Sequence, residues 1–185
     1  MDIFAHVGSH AFVPEKRFVA YLVGEMLPLS FSLLLHLACA AFWVGGMLFL
    51  PLVLLPSIKD HPDRVALLYK TGLQFRFYGW IVMGLLLLSG FSNLYFKGIP
   101  FSVVFFMQNA YGKMVMVKLL GFCLILLTSG VHDWYFGKKA LENLQENPDP
   151  RLRLLARWTG RVNLLLALGM MFLGLALSRG LFFFA

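Results

Sequence analysis

The sequence is poor in charged residues and in cysteine, and both shortages narrow the classes of protein to consider. Only 14% of the 185 residues are charged and 59% are hydrophobic, a balance that is typical of membrane proteins with several spans. The two cysteines, Cys39 and Cys123, lie within long apolar runs, so a disulfide framework is not expected. There is no internal repeat and no low-complexity linker, and we expect a single membrane domain over residues 1–185.

Residues 1–28 lack the compact apolar run and small-residue cleavage site of a secretory signal peptide. Glycine, proline and charged residues interrupt them, at Gly8, Pro14, Glu15, Lys16, Arg17 and Pro28. We therefore predict a short interfacial segment that leads into the first span. His6 and His10 would share one face of this segment if it is helical, and they are additional candidates for a binding site.

Four apolar segments are long enough to cross a bilayer, since a span needs about 20 apolar residues at a rise of about 1.5 Å each. They cover roughly residues 29–55, 77–97, 112–136 and 160–184. The sequence therefore predicts an all-α protein, an antiparallel four-helix transmembrane bundle with short connecting loops.

Lysine and arginine are distributed unevenly over the predicted loops. The first and third loops hold ten of them, namely Lys59, Arg64, Lys70, Arg76, Lys138, Lys139, Arg151, Arg153, Arg157 and Arg161. The opposite side holds five, namely Lys16, Arg17, Lys97, Lys113 and Arg179. Excess positive charge marks the cytoplasmic side, so we expect a bacterial inner-membrane protein with both termini in the periplasm. The net charge of +7 thus reports orientation, and a nucleic-acid partner is not expected.

The first span carries a histidine, His36, well inside its apolar run. An ionisable group within a span is costly and is a functional-site hypothesis by default. At 100° per residue His36, Trp43 and Met47 fall on one stripe of the helix, with Cys39 at its edge. A hydrogen bond across helices is the structural alternative to a metal, haem or proton role for this histidine.

The first span also contains a glycine pair, Gly45 and Gly46, where a neighbouring helix or a flat ligand can approach the backbone closely. We expect His36 to face the bundle interior. Trp43 and the glycine pair should then pack against the second or third span.

The second intramembrane histidine, His132, lies at a different depth. Counting about 1.5 Å per residue from the span centres separates His36 from His132 by about 16 Å, whereas two nitrogens on one metal lie within about 4 Å. We therefore predict two separate polar clusters. The outer cluster comprises His36, Asn93, Lys118 and either His6 or His10. The inner cluster comprises His132, Asp133, Arg161, Asn163 and His61, with an ion pair between Asp133 and Arg161 as its structural alternative.

Several short motifs resemble those of the CopD-type copper-resistance membrane proteins. The match covers roughly residues 29–136. It is carried by His36, Trp43 with Gly46, the stretch from Phe75 to Trp80, Ser89 with Gly90, Asn93, and Tyr111 with Lys118. The resemblance implies copper transport or tolerance.

The same residues are also similar to the related HemJ-type protoporphyrinogen oxidases, which are haem-binding membrane proteins with four or five spans. That family has further histidines after the first span and at the end of the lysine-bearing span, followed by an Arg-x-x-Asn-Glu motif. Looser counterparts here are His61, His132 and Arg161 with Asn163, and Leu164 stands at the glutamate position. This resemblance implies haem binding and a membrane oxidoreductase.

From the sequence we favour a b-type haem protein with one or two haems and a redox role, either electron transfer or porphyrinogen oxidation. A neutral imidazole supplies an axial ligand, and Lys118 or Arg161 can meet the anionic propionates. Trp43, Gly46 and Asn163 would contribute to this site, and Lys118 and Asn93 are candidates for catalysis. The partners would be the lipid bilayer, a quinone, a porphyrin or another redox protein, and a homo-oligomer is compatible with the sequence.

The alternative is copper, bound by soft or borderline ligands suited to Cu(I). These ligands would be His36, Cys39, Met47 and Met114. A lysine on the same side of the membrane is unfavourable next to a cation. A structural or assembly subunit with no centre of its own is the third hypothesis.

Overall fold

The computed structural model describes residues 22–133 and 150–181. These ranges contain helices and no strands. The helices are α1 (Leu27–Phe49), α2 (Arg64–Phe96), α3 (Val103–Gln108), α4 (Ala110–Val131) and α5 (Pro150–Ser178). All but α3 belong to helices that are long and apolar enough to cross a membrane. The predicted all-α membrane fold with four spans is confirmed.

The first span is longer than α1 itself. A π-helical segment, Leu22–Met26, precedes α1, and a second one, Leu50–Leu54, leads into the short turn Leu55–Ser57. Proline cannot donate a backbone hydrogen bond, so Pro51 interrupts the regular pattern and the wider π spacing follows at this position. The first span therefore runs over Leu27–Ser57, close to the predicted range of 29–55.

Several helix ends differ from the ends of the predicted spans. Helix α2 begins at Arg64, before the predicted span at 77, because the alanine, leucines, arginines, lysine and glutamine of residues 64–76 are good helix formers. Helix α4 ends at Val131 and a π-helical turn follows it at residues 132–133, while the rest of the predicted span, 134–136, lies outside the described residues. Helix α5 begins inside the predicted third loop and ends at Ser178 rather than 184. Gly180 follows the end of α5 and has φ 69°, and a glycine in this left-handed conformation commonly terminates a helix.

The short helix α3 in the second loop was not predicted. The Ser102 hydroxyl caps it by accepting a hydrogen bond from the Phe105 N–H at 3.2 Å, and the Asn109 side chain caps α4 by accepting from the Tyr111 N–H at 2.9 Å. Serine and asparagine are preferred at this position because they satisfy an orphan N–H of the first turn. These two capping residues were the signal that sequence inspection could have used.

Contacts between the long helices run in opposite residue order. In α1 and α2 the contacts pair His36 with Ser89 and Gly46 with Phe75, so the two helices are antiparallel. In α4 and α5 they likewise pair Gly121 with Met170, Ser129 with Asn163, and His132 with Thr159. Helix α1 also packs against α5, so the two antiparallel pairs join in the predicted bundle.

The core of the bundle takes one buried residue from each long helix, namely Val44, Met83, Ile125 and Ala167. Many of the other large apolar side chains in the described part of the chain are exposed, as expected for a surface that faces lipid tails. The buried face of each long helix is therefore narrow, and small or polar side chains form much of the remaining contact between helices.

Two glycines lie against aromatic rings where α1 packs on α2. Gly46 lies directly against the Phe75 ring, and Gly79 lies against the indole of Trp43. The Trp43 and Phe75 rings are stacked at 5.8 Å with an interplanar angle of 19°. The predicted packing of Trp43 and Gly46 is confirmed, whereas a Cβ on Gly45 would meet nothing within 4 Å, because adjacent helix positions point about 100° apart.

Candidate functional site

The His36 side chain faces α2 and is held by a serine. Its Nδ1 lies 2.9 Å from the Ser89 hydroxyl. That hydroxyl also donates to the Leu85 carbonyl at 2.6 Å, and the Ser32 hydroxyl donates to the Ser89 carbonyl at 3.2 Å. Ser32 and Ser89 are buried. The prediction that His36 points into the bundle is confirmed.

The hydrogen bonds around His36 are satisfied when the ring proton is on Nδ1. A serine hydroxyl has one proton, and with the Ser89 proton on the Leu85 carbonyl the Ser89 oxygen accepts from Nδ1–H. In this tautomer Nε2 carries the lone pair, and a ring nitrogen with a lone pair can ligate a metal.

Two further residues of the predicted outer cluster lie near this level. Asn93 follows Ser89 by one helical turn, and its Oδ1 is buried with no partner among the described residues. Lys118 is partly buried, its Nζ lies beside Gly174 of α5, and its charge acts on His36. His36 and Lys118 therefore share one end of the bundle. The predicted alternatives His6 and His10 lie outside the described residues.

His132 is likewise hydrogen-bonded to a side-chain hydroxyl at the other end of the bundle. Its Nδ1 lies 2.8 Å from the Thr159 hydroxyl, and that hydroxyl donates to the Leu155 carbonyl at 3.0 Å. Burial lowers the pKa of His132, which lies beyond the end of α4, while the Asp133 charge acts to raise it.

Asp133 is bound by an indole and not by an arginine. The Trp80 Nε1–H donates to its Oδ2 at 3.0 Å. Burial raises the pKa of this carboxyl, against the opposing effects of Trp80, His132 and Arg76. The predicted ion pair with Arg161 is wrong, because that guanidinium points outward over the Trp158 ring, 5.4 Å from its centroid.

The other residues of the predicted inner cluster have local or structural partners. The Asn163 amide donates to the Ser129 hydroxyl at 2.8 Å and accepts from the Thr128 hydroxyl at 2.8 Å, so it links α4 to α5. His61 is exposed in the connection after the first span, where its Nδ1 accepts from the Asp63 N–H at 3.1 Å. Neither side chain is directed toward His132 by these bonds.

The number of positions along α2 gives the separation in depth between the His36 and His132 clusters. Ser89, which binds His36, and Trp80, which binds Asp133, are nine positions apart, or about 14 Å at about 1.5 Å per residue. This agrees with the predicted separation in depth. In residues 22–133 and 150–181 no group of three or more His, Cys, Asp or Glu side chains is placed to hold a metal ion.

The four predicted copper ligands do not form one set. Cys39 is a buried free thiol about one turn from His36. Met47 is eleven positions along the same helix from His36, or about 16 Å, and it packs against the bundle core. Met114 is fully buried near the start of α4. His36 and Met47 cannot ligate the same ion.

Sequence inspection missed Thr159 as the partner of His132. A threonine one turn before Asn163 lies on the same face of a helix, and that spacing was the available signal. Ser89 was noted only with Gly90, among the motifs that resemble the CopD type. Its role depends on the pairing of α1 with α2, which no local pattern specifies.

An apolar groove of about 510 Å³ lies between α4 and α5. It is lined by Val117, Gly121, Val162, Leu165, Leu166, Gly169, Met170, Phe172 and Leu173. None of these is a histidine, so the groove offers no imidazole as an axial ligand for haem.

Comparison with known proteins gives two informative relatives. The chain is 35% identical over 150 residues to an uncharacterized protein of Aquifex aeolicus (strain VF5), a match that covers 80% of this chain and 94% of that protein. The chain belongs to the family of this Aquifex protein. It is also 31% identical over 124 residues to the copper transport protein CutJ of Bacillus subtilis (strain 168).

The CutJ match covers 67% of this chain but 20% of CutJ, so the chain spans about one fifth of the length of that relative. No family model matches the chain, and no solved structure matches it. The name of CutJ refers to copper, and neither relative's name refers to haem. The comparisons therefore support the copper alternative over the haem hypothesis that the sequence favoured.

Proposed function

We propose that the chain is a copper transport or tolerance protein of the bacterial inner membrane, related to the CopD type, that binds copper through His36. The observation that carries this proposal is the orientation of the His36 ring. Ser89 holds the ring through Nδ1 at 2.9 Å, and with the Ser89 proton on the Leu85 carbonyl the Nε2 lone pair stays available within a membrane span. The similarity to a copper transport protein over two thirds of the chain supports the choice of metal.

The charges of the bundle favour a soft monovalent ion. Helices α1, α2, α4 and α5 contain no aspartate or glutamate, so they offer none of the carboxylates that Ca²⁺ or Mg²⁺ requires. Lys118 adds a positive charge near His36. An ion held beside it must bind through its affinity for imidazole or sulfur, which is the preference of Cu(I).

Purified protein loaded anaerobically with Cu(I) tests the proposal. We expect copper to remain bound after desalting, as measured by metal analysis, and the spectrum of the protein as isolated to lack a Soret band. A matched sample loaded with Mg²⁺ is the control and should retain no metal. A Soret band with stoichiometric haem, or no retained copper, would refute the proposal.

We further propose that both termini lie in the periplasm, because the excess of Lys and Arg falls in the first and third connections. This places the His36 end of the bundle near the periplasm and the His132 end near the cytoplasm. Reporter fusions after Asp60 and after Gly98 should report the cytoplasm and the periplasm, respectively. The reverse result would invert the orientation, and the same compartment for both would contradict the spans described above.

A further inference from the structure

We propose that Lys118 sets the charge selectivity of the copper site, by holding a fixed positive charge near His36 that repels divalent ions more strongly than Cu(I). Lys118 is then a specificity-determining residue and not a ligand. The inference rests on the proposed function, because it concerns which ions the His36 site accepts.

His36 and Lys118 lie at similar depths of the bundle. Val44 of α1 and Ile125 of α4 belong to one buried cluster, which provides a common reference level. His36 lies eight positions before Val44 and Lys118 seven positions before Ile125, or about 12 Å and about 10.5 Å from that level. As the first and third of four spans, α1 and α4 run in the same direction, so both residues belong to one layer of the bundle.

The ammonium group of Lys118 remains in this layer. A lysine near the end of a span can extend its stem toward the membrane surface, which would carry its charge away from the site. Here Nζ lies beside Gly174 of α5, 3.4 Å from the position that a Cβ there would take. Gly174 is seven positions after Ala167 of the same buried cluster, or about 10.5 Å from the reference level. The stem therefore crosses to α5 and does not extend toward the surface.

The charge of Lys118 is not cancelled by any carboxylate whose side chain the structure describes at this level. Helices α1, α2, α4 and α5 contain no aspartate or glutamate. Asp133, just beyond the end of α4, is fifteen positions from Lys118, or about 22 Å. The Lys118 charge acts on His36 through the interior of the bundle, where charges are screened less than at the surface. An ion bound by the imidazole meets this repulsion.

Coulomb repulsion is proportional to the charge of the bound ion. If Lys118 weakens the binding of a monovalent ion by a factor f, it weakens that of a divalent ion at the same position by about f². At an effective dielectric constant of about 20, a charge about 8 Å away corresponds to roughly 30-fold for a monovalent ion and roughly 1,000-fold for a divalent one. Lys118 therefore lowers the affinity for Cu(I) but excludes Zn²⁺, which imidazole also ligates, far more strongly.

The dissociation constants of Cu(I), Ag(I) and Zn²⁺ for the full chain test this role of Lys118. Competition with chromophoric chelators measures them, and Ag(I) serves as a second soft monovalent ion that has no redox chemistry with the chelator. In Lys118→Leu we expect the affinities for Cu(I) and Ag(I) to rise by roughly 30-fold and that for Zn²⁺ by roughly 1,000-fold. Lys118→Gln, which is neutral but polar, should give the same pattern.

Two control variants separate the effect of charge from that of packing. Arginine stays protonated in proteins, so Lys118→Arg should keep the affinities of the parent for all three ions. Lys97 is exposed and its charge acts on Lys118, but solvent screens exposed charges. Lys97→Leu should therefore leave the three affinities near those of the parent. Thermal unfolding verifies that each variant is folded.

The outcomes distinguish this inference from the proposed function. An equal rise for all three ions, or no rise in the folded Leu and Gln variants of Lys118, would overturn the inference and leave copper binding by His36 standing. A Zn²⁺ gain that persists when His36→Ala is added to Lys118→Leu would overturn it as well, because the discriminated ion would then lie elsewhere. A parent protein that binds no Cu(I) would refute both proposals.

Discussion

Replacing His36 by alanine should abolish copper binding at the outer end of the bundle and lower copper uptake by cells to the level without the protein. His36 supplies the one imidazole that the described residues place at this level, and Cys39 alone is a single soft ligand. Ser89→Ala should retain the ligand but release the ring, and loss of such a supporting hydrogen bond costs roughly 10- to 100-fold in metal affinity. Competition between the protein and a chromophoric Cu(I) chelator measures both effects.

Two variants control for general damage to the bundle. Ser92 lies on the same helix as Ser89, and its hydroxyl donates to the Leu88 carbonyl of its own helix, so Ser92→Ala should bind copper with parent affinity. His132→Ala should also retain the outer copper, because the two clusters lie at different depths. Loss of all copper in both histidine variants, with folding intact, would indicate one shared centre and contradict the arrangement described here.

The existence of four spans could be predicted from the sequence because apolar length alone determines it. Their ends could not, because residues near the membrane surface are both polar and good helix formers. The charged stretch before 77 illustrates this, since it continues α2 back to Arg64. The helix α3 was missed for a related reason, since its cap was visible at Ser102 but its six residues carry no periodic signal.

The depths of the candidate site residues in the bundle could be predicted from the sequence, but their hydrogen-bond partners could not. The separation of His36 from His132 follows from the fixed rise of a helix, and the structure agrees with it. The pairing of His36 with Ser89 and of His132 with Thr159 depends on the register and rotation of neighbouring helices. Spacing along the sequence contains no information on either quantity. The same limit explains the wrong pairing of Asp133 with Arg161.

The sequence pattern also could not decide between haem and copper as the cofactor. The motifs around His36 and Lys118 resemble two families with different cofactors, and an imidazole ligates either metal. What favours copper is the similarity to CutJ together with a bundle that has no carboxylate in its long helices. The site geometry then adds a ring whose free nitrogen points away from its serine anchor.

Gly46→Ala should destabilise the bundle strongly, whereas Gly45→Ala should not. A Cβ on Gly46 overlaps the Phe75 ring. That ring cannot swing aside freely, since it stacks with Phe42 at 6.2 Å and with Trp43 at 5.8 Å. Overpacking of this kind costs about 1–3 kcal/mol. Alanine at 45 meets open space and should gain up to about 1 kcal/mol from helix propensity, and thermal unfolding in detergent measures the difference.

The same substitution should also weaken copper binding, because the contact of Gly46 with Phe75 sets the spacing of α1 and α2 that brings His36 to Ser89. A second change provides the decisive test. Phe75→Leu removes ring atoms at the overlap, so the double variant should recover stability and copper affinity relative to Gly46→Ala, as coupled neighbours do in a double-mutant cycle. Equal unfolding temperatures for the two glycine variants, or strictly additive losses in the double variant, would show that this contact does not position the site.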